Sequence, residues 1–208
     1  MSNYIRKYGL NTLIPPTLLF IIGIYIGNTY IIIISLLLAG ICYNFFQRPN
    51  IKIKKDKSAI ISPSFGRIQK IMKIDNKVYI SIFLSIFDPH IQYVPYNGLL
   101  LSQIYKKGTF RAAFLWEKST FNERMIHNFE TRVGTISVVQ IAGMIARTII
   151  PFISARKDVK KGDEIGMIKF GSRVDIIVPI KGNEDMKILV KQGQYVYGGE
   201  TVLIKLNK

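Results

Sequence analysis

Between Tyr8 and Gln47 the chain carries no Asp, Glu, Lys, Arg or His. No other feature restricts the fold as much, because so long an uncharged stretch must be buried in protein or placed in lipid. It holds two apolar runs, Leu13–Ile26 and Tyr30–Phe46, separated by Gly27-Asn28. Pro15 and Pro16 suit a first helical turn, where a missing N–H costs little, and Gly-Asn suits a tight turn. Each run falls slightly short of the ~20 residues of a full span. A hairpin that crosses a thinned bilayer and one seated in a single leaflet both fit. Arg6 and Lys7 precede the stretch, and Arg48, Lys52, Lys54, Lys55 and Lys57 follow it. Basic residues at both ends predict that both ends, and the body beyond, lie on the cytoplasmic face of a cell membrane. The alternatives are a cleaved signal peptide and a buried helix pair. A lipoprotein signal is rejected, since Ile41 stands where a small residue should precede Cys42.

The chain holds 29 Lys+Arg against 13 Asp+Glu, a net charge of +16. A membrane-anchored reading accounts for part of this, because each basic residue near an anionic surface contributes on the order of 1 kcal/mol. Nucleic-acid binding calls for basic clusters interleaved with exposed aromatics. Here most aromatics sit in apolar runs, so no nucleic-acid partner is expected. A lone cysteine excludes a disulfide scaffold, and two histidines with one cysteine argue against a structural metal site.

After Asn50 the texture changes to short β-branched and aromatic runs broken by Gly, Pro, Asn and Asp. Val78–Leu84, Gly134–Ile141 and Val174–Pro179 read as strands, too apolar to be half-exposed. Residues 116–129 read as a helix carrying Asn122-Glu123-Arg124. Near the end, Val159–Gly166 and Val190–Val196, each followed by a short apolar run, echo one another. They resemble the half-motifs of biotinyl- and lipoyl-like domains and predict two related β-hairpins packed together. The expected fold is therefore α+β: a membrane-associated helical hairpin over residues 1–50, then a β-rich soluble body over 51–208 with lipoyl-like hairpin repeats.

Ordinary catalytic motifs are absent: there is no Gly-rich phosphate loop, no Cys-His pairing and no Gly-x-Ser-x-Gly. His90 and His127 are the two histidines, and a lone histidine is more often structural than catalytic. The pair Gly171-Ser172 lies between two strand-like runs. A turn is its ordinary explanation. It has a chemical one as well. A serine hydroxyl can attack the carbonyl of its own preceding residue, and Gly tolerates the strained backbone this needs. Elimination of the resulting ester cuts the chain and leaves a pyruvoyl group where the serine stood.

Val139-Gln140-Ile141-Ala142-Gly143-Met144-Ile145-Ala146-Arg147 and Gly166–Asp175, which contains Phe170-Gly171-Ser172-Arg173-Val174-Asp175, together resemble the short, archaeal-type phosphatidylserine decarboxylase proenzymes. Phe45-Phe46-Gln47-Arg48-Pro49 is similar to that family's Phe-Phe-Arg-x-Pro, Ser81–His90 to its strand leading to a histidine, and Asn122-Glu123-Arg124 to its Asn-Glu-Arg. The resemblance covers nearly the whole chain. It implies self-cleavage between Gly171 and Ser172 into a β subunit (1–171) and an α subunit (172–208), held as a heterodimer with a possible higher oligomer. Ser172 would become a covalent pyruvoyl cofactor that forms a Schiff base with phosphatidylserine and takes up the electrons left as CO2 departs, giving phosphatidylethanolamine. His90 would act as proton donor or substrate orienter.

Three segments depart from the family pattern. Ser62-Pro63-Ser64-Phe65-Gly66 replaces Ser-Pro-Ala-Asp-Gly, so Phe65 stands where the processing aspartate is expected. His90-Ile91-Gln92-Tyr93 replaces His-Val-Asn-Arg, and Trp116-Glu117 replaces Asp-Lys. Asp88 and Asp56 are the candidate substitute carboxylates, with a surface-charge role the alternative for Asp56. Arg147 and Arg173 are candidates for the lipid phosphate or for salt bridges. The rival functional reading is a catalytically degenerate homologue serving as a membrane-anchored, lipoyl-like adaptor. It expects an uncut chain.

Overall fold

The computed structural model describes residues 10–46, 48–144, 148–169, 171–180 and 185–206. Two compact units emerge: residues 1–50 with 86–89, and residues 51–85 with 90–208. Helix α1 (Leu10–Ile26) and helix α2 (Thr29–Phe45) form the first unit, close to the expected boundaries. Gly27 takes φ 70° at the turn, and the Asn28 side chain caps α2 by accepting the N–H groups of Tyr30 and Ile31. A Cβ on Gly23 would lie 2.9 Å from Ile32 Cγ1, so glycine lets the helices approach there. Because α1 begins at Leu10, Pro15 and Pro16 lie inside the helix rather than in its first turn. The Thr12 carbonyl, which Pro16 leaves without its helical N–H, accepts from Cys42 Sγ at 3.8 Å. Each helix has 17 residues, about 26 Å at the α-helical rise. Among the described residues no helix is long and apolar enough to cross a membrane.

The second unit is β-rich. Its strands begin with β1 (Ala59–Ile61), β2 (Gly66–Ile74), β3 (Lys77–Leu84), β4 (Ile91–Tyr93) and β5 (Gly98–Lys106). After the single turn α3 (Trp116–Ser119) come β6 (Arg124–Thr131), β7 (Gly134–Ile141), β8 (Ile149–Pro151), β9 (Lys157–Val159) and β10 (Glu164–Ile168). The chain ends with β11 (Ser172–Pro179), β12 (Lys187–Ile188), β13 (Tyr195–Val196) and β14 (Val202–Lys205). An antiparallel sheet runs β13-β2-β3-β11-β7-β6-β5-β9, and two small sheets run β1-β14-β12 and β4-β10-β8. The three strands read from sequence are all present.

The helix expected over 116–129 is not. Only its first four residues are helical, and the rest enters β6. Tertiary pairing overrides local propensity here. Gly134, at φ 94°, closes a hairpin that zips Arg124–Thr131 onto β7, and His127 and Phe129 alternate into the core as a strand requires. The terminal echo survives only at its turns. Gly162 and Gly193 share positive φ, and the N–H groups of Asp163 and Gln194 donate to Lys160 and Lys191 O, respectively. The flanking strands do not form the expected paired hairpins: β9 pairs with β5, β10 with β4 and β8, β13 with β2, and β14 with β1 and β12. A turn repeats for local reasons, whereas strand partners are set by which edges remain open.

Strand β11 is the spine of this unit. Val174, Ile176 and Val178 are fully buried on one face, Val174 in one apolar cluster and the other two in a second. Burying a side chain of this size contributes about 1.5–3 kcal/mol. Alternation puts Ser172 on that same core face and Arg173 and Asp175 on the opposite one.

Candidate active site

Gly171 and Ser172 stand where the chain enters β11. Gly171 has φ 63°, a left-handed conformation that glycine adopts without penalty. Its N–H donates to His90 Nε2 at 3.2 Å. A backbone N–H can only donate, so Nε2 accepts and the ring proton of the neutral imidazole sits on Nδ1. The two predicted site residues, far apart in sequence, are thus brought together. Ser172 and His90 are both fully buried. Among the described residues Ser172 Oγ has no hydrogen-bond partner. An unsatisfied buried hydroxyl costs free energy, and such groups persist where function retains them.

The Gly171 carbonyl passes close to Gly143. A Cβ on Gly143 would collide with the Gly171 carbonyl oxygen and lie 3.4 Å from Ala113 Cβ. Gly143 lies two residues beyond the end of β7, in the motif Gln140-Ile141-Ala142-Gly143. Asn122 sets this turn. Its side-chain amide donates to the carbonyls of Ala142 (2.8 Å) and Arg111 (2.7 Å), while its Oδ1 accepts from Arg111 N–H and Thr109 Oγ1. The Asn-Glu-Arg motif therefore works here as a clamp between strands and not on a helix.

A buried polar relay backs His90. Gln92 Nε2 donates to His90 O at 2.8 Å, Gln140 Nε2 donates to Gln92 Oε1 at 2.6 Å, and His127 Nε2 donates to Gln140 Oε1 at 2.7 Å. Burial pulls the His127 pKa below its ordinary value of 6.5, against the hydrogen bond to Gln140. His127 is thereby kept neutral, with Nδ1 facing Gln103 Nε2 at 3.1 Å. Gln140 and Gln92 are not among the residues the sequence singled out as site candidates. The available signal was Gln140, one polar residue in the apolar run Val138–Ile141.

On the opposite face of β11, Arg173 is 1% exposed and pairs with Asp175 at 3.0 Å. It also donates to Trp116 O (2.9 Å) and Ser119 Oγ (2.5 Å). Asp175 accepts from Ser81 Oγ at 2.5 Å. Burial raises the Asp175 pKa, opposed by Arg173 and the hydrogen bonds. Arg173 is thus the structural cation of the two roles considered. Arg147 lies outside the described residues.

Phe65 is nearly buried, and its ring meets those of Tyr93 and Tyr197 edge-on at 6.3 Å each. Arg67 pairs with Phe83 and Phe83 with Arg173, so Phe65 lies in register with Gly171 two strands away, about 10 Å at the backbone. Asp56 is a surface group: its side chain is 46% exposed, bonds Ser58 and lies 3.9 Å from Lys205. Asp88 falls in the helical unit. Among the described residues no His/Cys/Asp/Glu group could hold a metal ion.

A family model described as phosphatidylserine decarboxylase matches residues 38–204. The chain is 36% identical over 207 residues to the phosphatidylserine decarboxylase proenzyme of Carboxydothermus hydrogenoformans, covering 96% of this chain and 92% of that one. It is 37% identical over 180 residues to the proenzyme so named from Wolbachia pipientis wMel (81% and 76% covered). A Rickettsia bellii proenzyme of the same name is 38% identical over 173 residues (78% and 73%). On the extent and identity of these matches, the chain belongs to the phosphatidylserine decarboxylase family.

Proposed function

We propose that this chain cuts itself between Gly171 and Ser172 and then decarboxylates phosphatidylserine to phosphatidylethanolamine at a membrane surface. The observation that carries the reading is the unpartnered, buried Ser172 Oγ beside a glycine carbonyl that lies close against Gly143, with the Gly171 N–H on His90. Ser172 Oγ attacks the Gly171 carbonyl carbon, and the amide C–N bond breaks as the ester forms, its nitrogen taking a proton. Loss of the Ser172 Cα proton then breaks the Cβ–Oγ bond and releases Gly171 as a carboxylate. Hydrolysis of the remaining enamine frees ammonia and leaves a pyruvoyl carbonyl at position 172.

The residues present fit that group: the position is buried, the glycine before it takes a left-handed φ, and Gly143 has no side chain to push against the Gly171 carbonyl. The carbonyl supplies an electron sink for loss of CO2 from an amine-bearing substrate. His90, through Nε2, holds the backbone at 171 and moves a proton at the reacting centre. The helical hairpin, with Ile21, Ile24 and Tyr25 exposed, seats the enzyme on the cytoplasmic face of the membrane where its substrate resides. Residues 1–171 and 172–208 remain together as a heterodimer.

Denaturing mass spectrometry of the chain expressed in membranes tests this. Two fragments are expected, the smaller starting with a pyruvoyl group at 172, with CO2 released from phosphatidylserine vesicles. Ser172→Ala abolishes both. An uncut wild-type chain that retains the serine refutes the proposal and supports the adaptor reading.

A further inference from the structure

The connection between β5 and β6 carries a surface that the chemistry above does not use. Its base is stitched: Thr109 N–H donates to Phe121 O, Glu123 N–H to Thr109 O, and Asn122 clamps Arg111. Its middle is anchored, with Trp116 O and Ser119 Oγ held by buried Arg173 and Phe114 O held by Gln69. Yet this rigid segment exposes its large apolar side chains. Phe121 is 75% exposed, Phe114 60% and Leu115 41%. The same segment carries exposed Lys106, Lys107, Arg111 and Lys118, with Glu117 the one carboxylate between Lys106 and Phe121. Arg111, Lys118 and Phe121 line a common open groove of about 570 Å³ together with Thr109 and Glu117.

Anchored apolar tips beside basic side chains suit the boundary of an anionic bilayer, where rings enter the acyl margin and cations meet phosphates. A second copy of the chain is the poorer occupant, because a molecule of net charge +16 repels its like. The segment also touches the cleavage centre: Ala113 lies against Gly143, and Arg173 adjoins Ser172.

We propose that residues 106–121 form an interfacial docking surface for anionic lipid, which brings the bilayer to the edge of the Gly171–Ser172 site independently of the helical hairpin. The inference rests on the decarboxylase reading for its purpose but not for its test.

Trp116, the only tryptophan, lies in this segment. The full chain is bound to vesicles of phosphatidylglycerol and brominated phosphatidylcholine in equal parts, and Trp116 fluorescence is read beside co-sedimentation. Strong quenching is expected, weakened by high salt and by omission of phosphatidylglycerol. Phe114→Ser with Phe121→Ser, and separately Arg111→Glu with Lys118→Glu, each reduce quenching about tenfold at fixed lipid, while both variants still sediment through the hairpin. Unquenched Trp116 in vesicle-bound wild type overturns the proposal, as does quenching unaffected by either pair or equal in uncharged vesicles. Detergent-resistant dimers lost in either variant also overturn it, by assigning the face to a second copy. Mass spectrometry of the same samples separates the two claims, since an uncut chain sinks the decarboxylase reading whatever Trp116 reports.

Discussion

At the residue scale, Gly143 is the position where one atom decides the outcome. Any side chain there must displace the Gly171 carbonyl, at the bond proposed to be cut, and misplacement of a reacting centre by about 1 Å costs about 100-fold in rate. Gly143→Ala is therefore expected to slow fragment appearance by about two orders of magnitude in a time course. The melting temperature of the uncut protein should fall as well, because the atom displaced belongs to the backbone. His127 makes the second residue-scale prediction. Its folded pKa lies below 6.5, so as pH falls through that value the unfolded chain binds the proton first and stability declines. The stability His127 contributes as a neutral group is present above pH 6.5 and lost as pH drops through its lower folded pKa. His127→Gln should flatten the acid limb of stability, measured by urea unfolding of Ser172→Ala protein between neutral and mildly acidic pH. Phe65→Asp should accelerate cleavage if a carboxylate limits it, at a cost of about 3 kcal/mol for the lost aromatic packing. An unchanged rate would show that another group serves as base.

At the scale of elements, β11 carries the proposed nucleophile Ser172 on one face and a buried ion pair on the other. Removing one partner of such a pair strands a charge, whereas replacing both with apolar residues is far milder. Asp175→Ala should cost about 3–5 kcal/mol by leaving Arg173 buried and unpaired, and the double change Arg173→Met with Asp175→Leu should recover most of it in the same urea assay. The element scale also shows what could be read in advance. Val78–Leu84 and Gly134–Ile141 were legible because a continuous β-branched run has few other uses. Residues 122–131 were not, since their mixture of Arg, Met, Ile, His and Asn satisfies a helical pattern as well as a strand. Only the hairpin closed by Gly134 decides between them.

At the scale of the whole molecule, the proposed cut at 171/172 falls at the start of a strand and not in a linker. Residues 172–208 remain joined to the rest through β11 with β3 and β7, β13 with β2, and β14 with β1. The two fragments are thus expected to run as one species in native size exclusion and to part only in denaturant. Separation under native conditions would contradict the fold.

The amino-acid order alone determined the helical hairpin, the strand-rich body and the Gly-Ser pair, since each depends on short-range composition and on the backbone freedom of glycine. The tertiary structure alone decided that the Gly171 N–H meets His90, that Gly143 faces the carbonyl, and that Gln92, Gln140 and His127 connect behind them. These contacts join residues 13 to 81 positions apart, and their geometry comes from sheet register, which no local sequence pattern encodes.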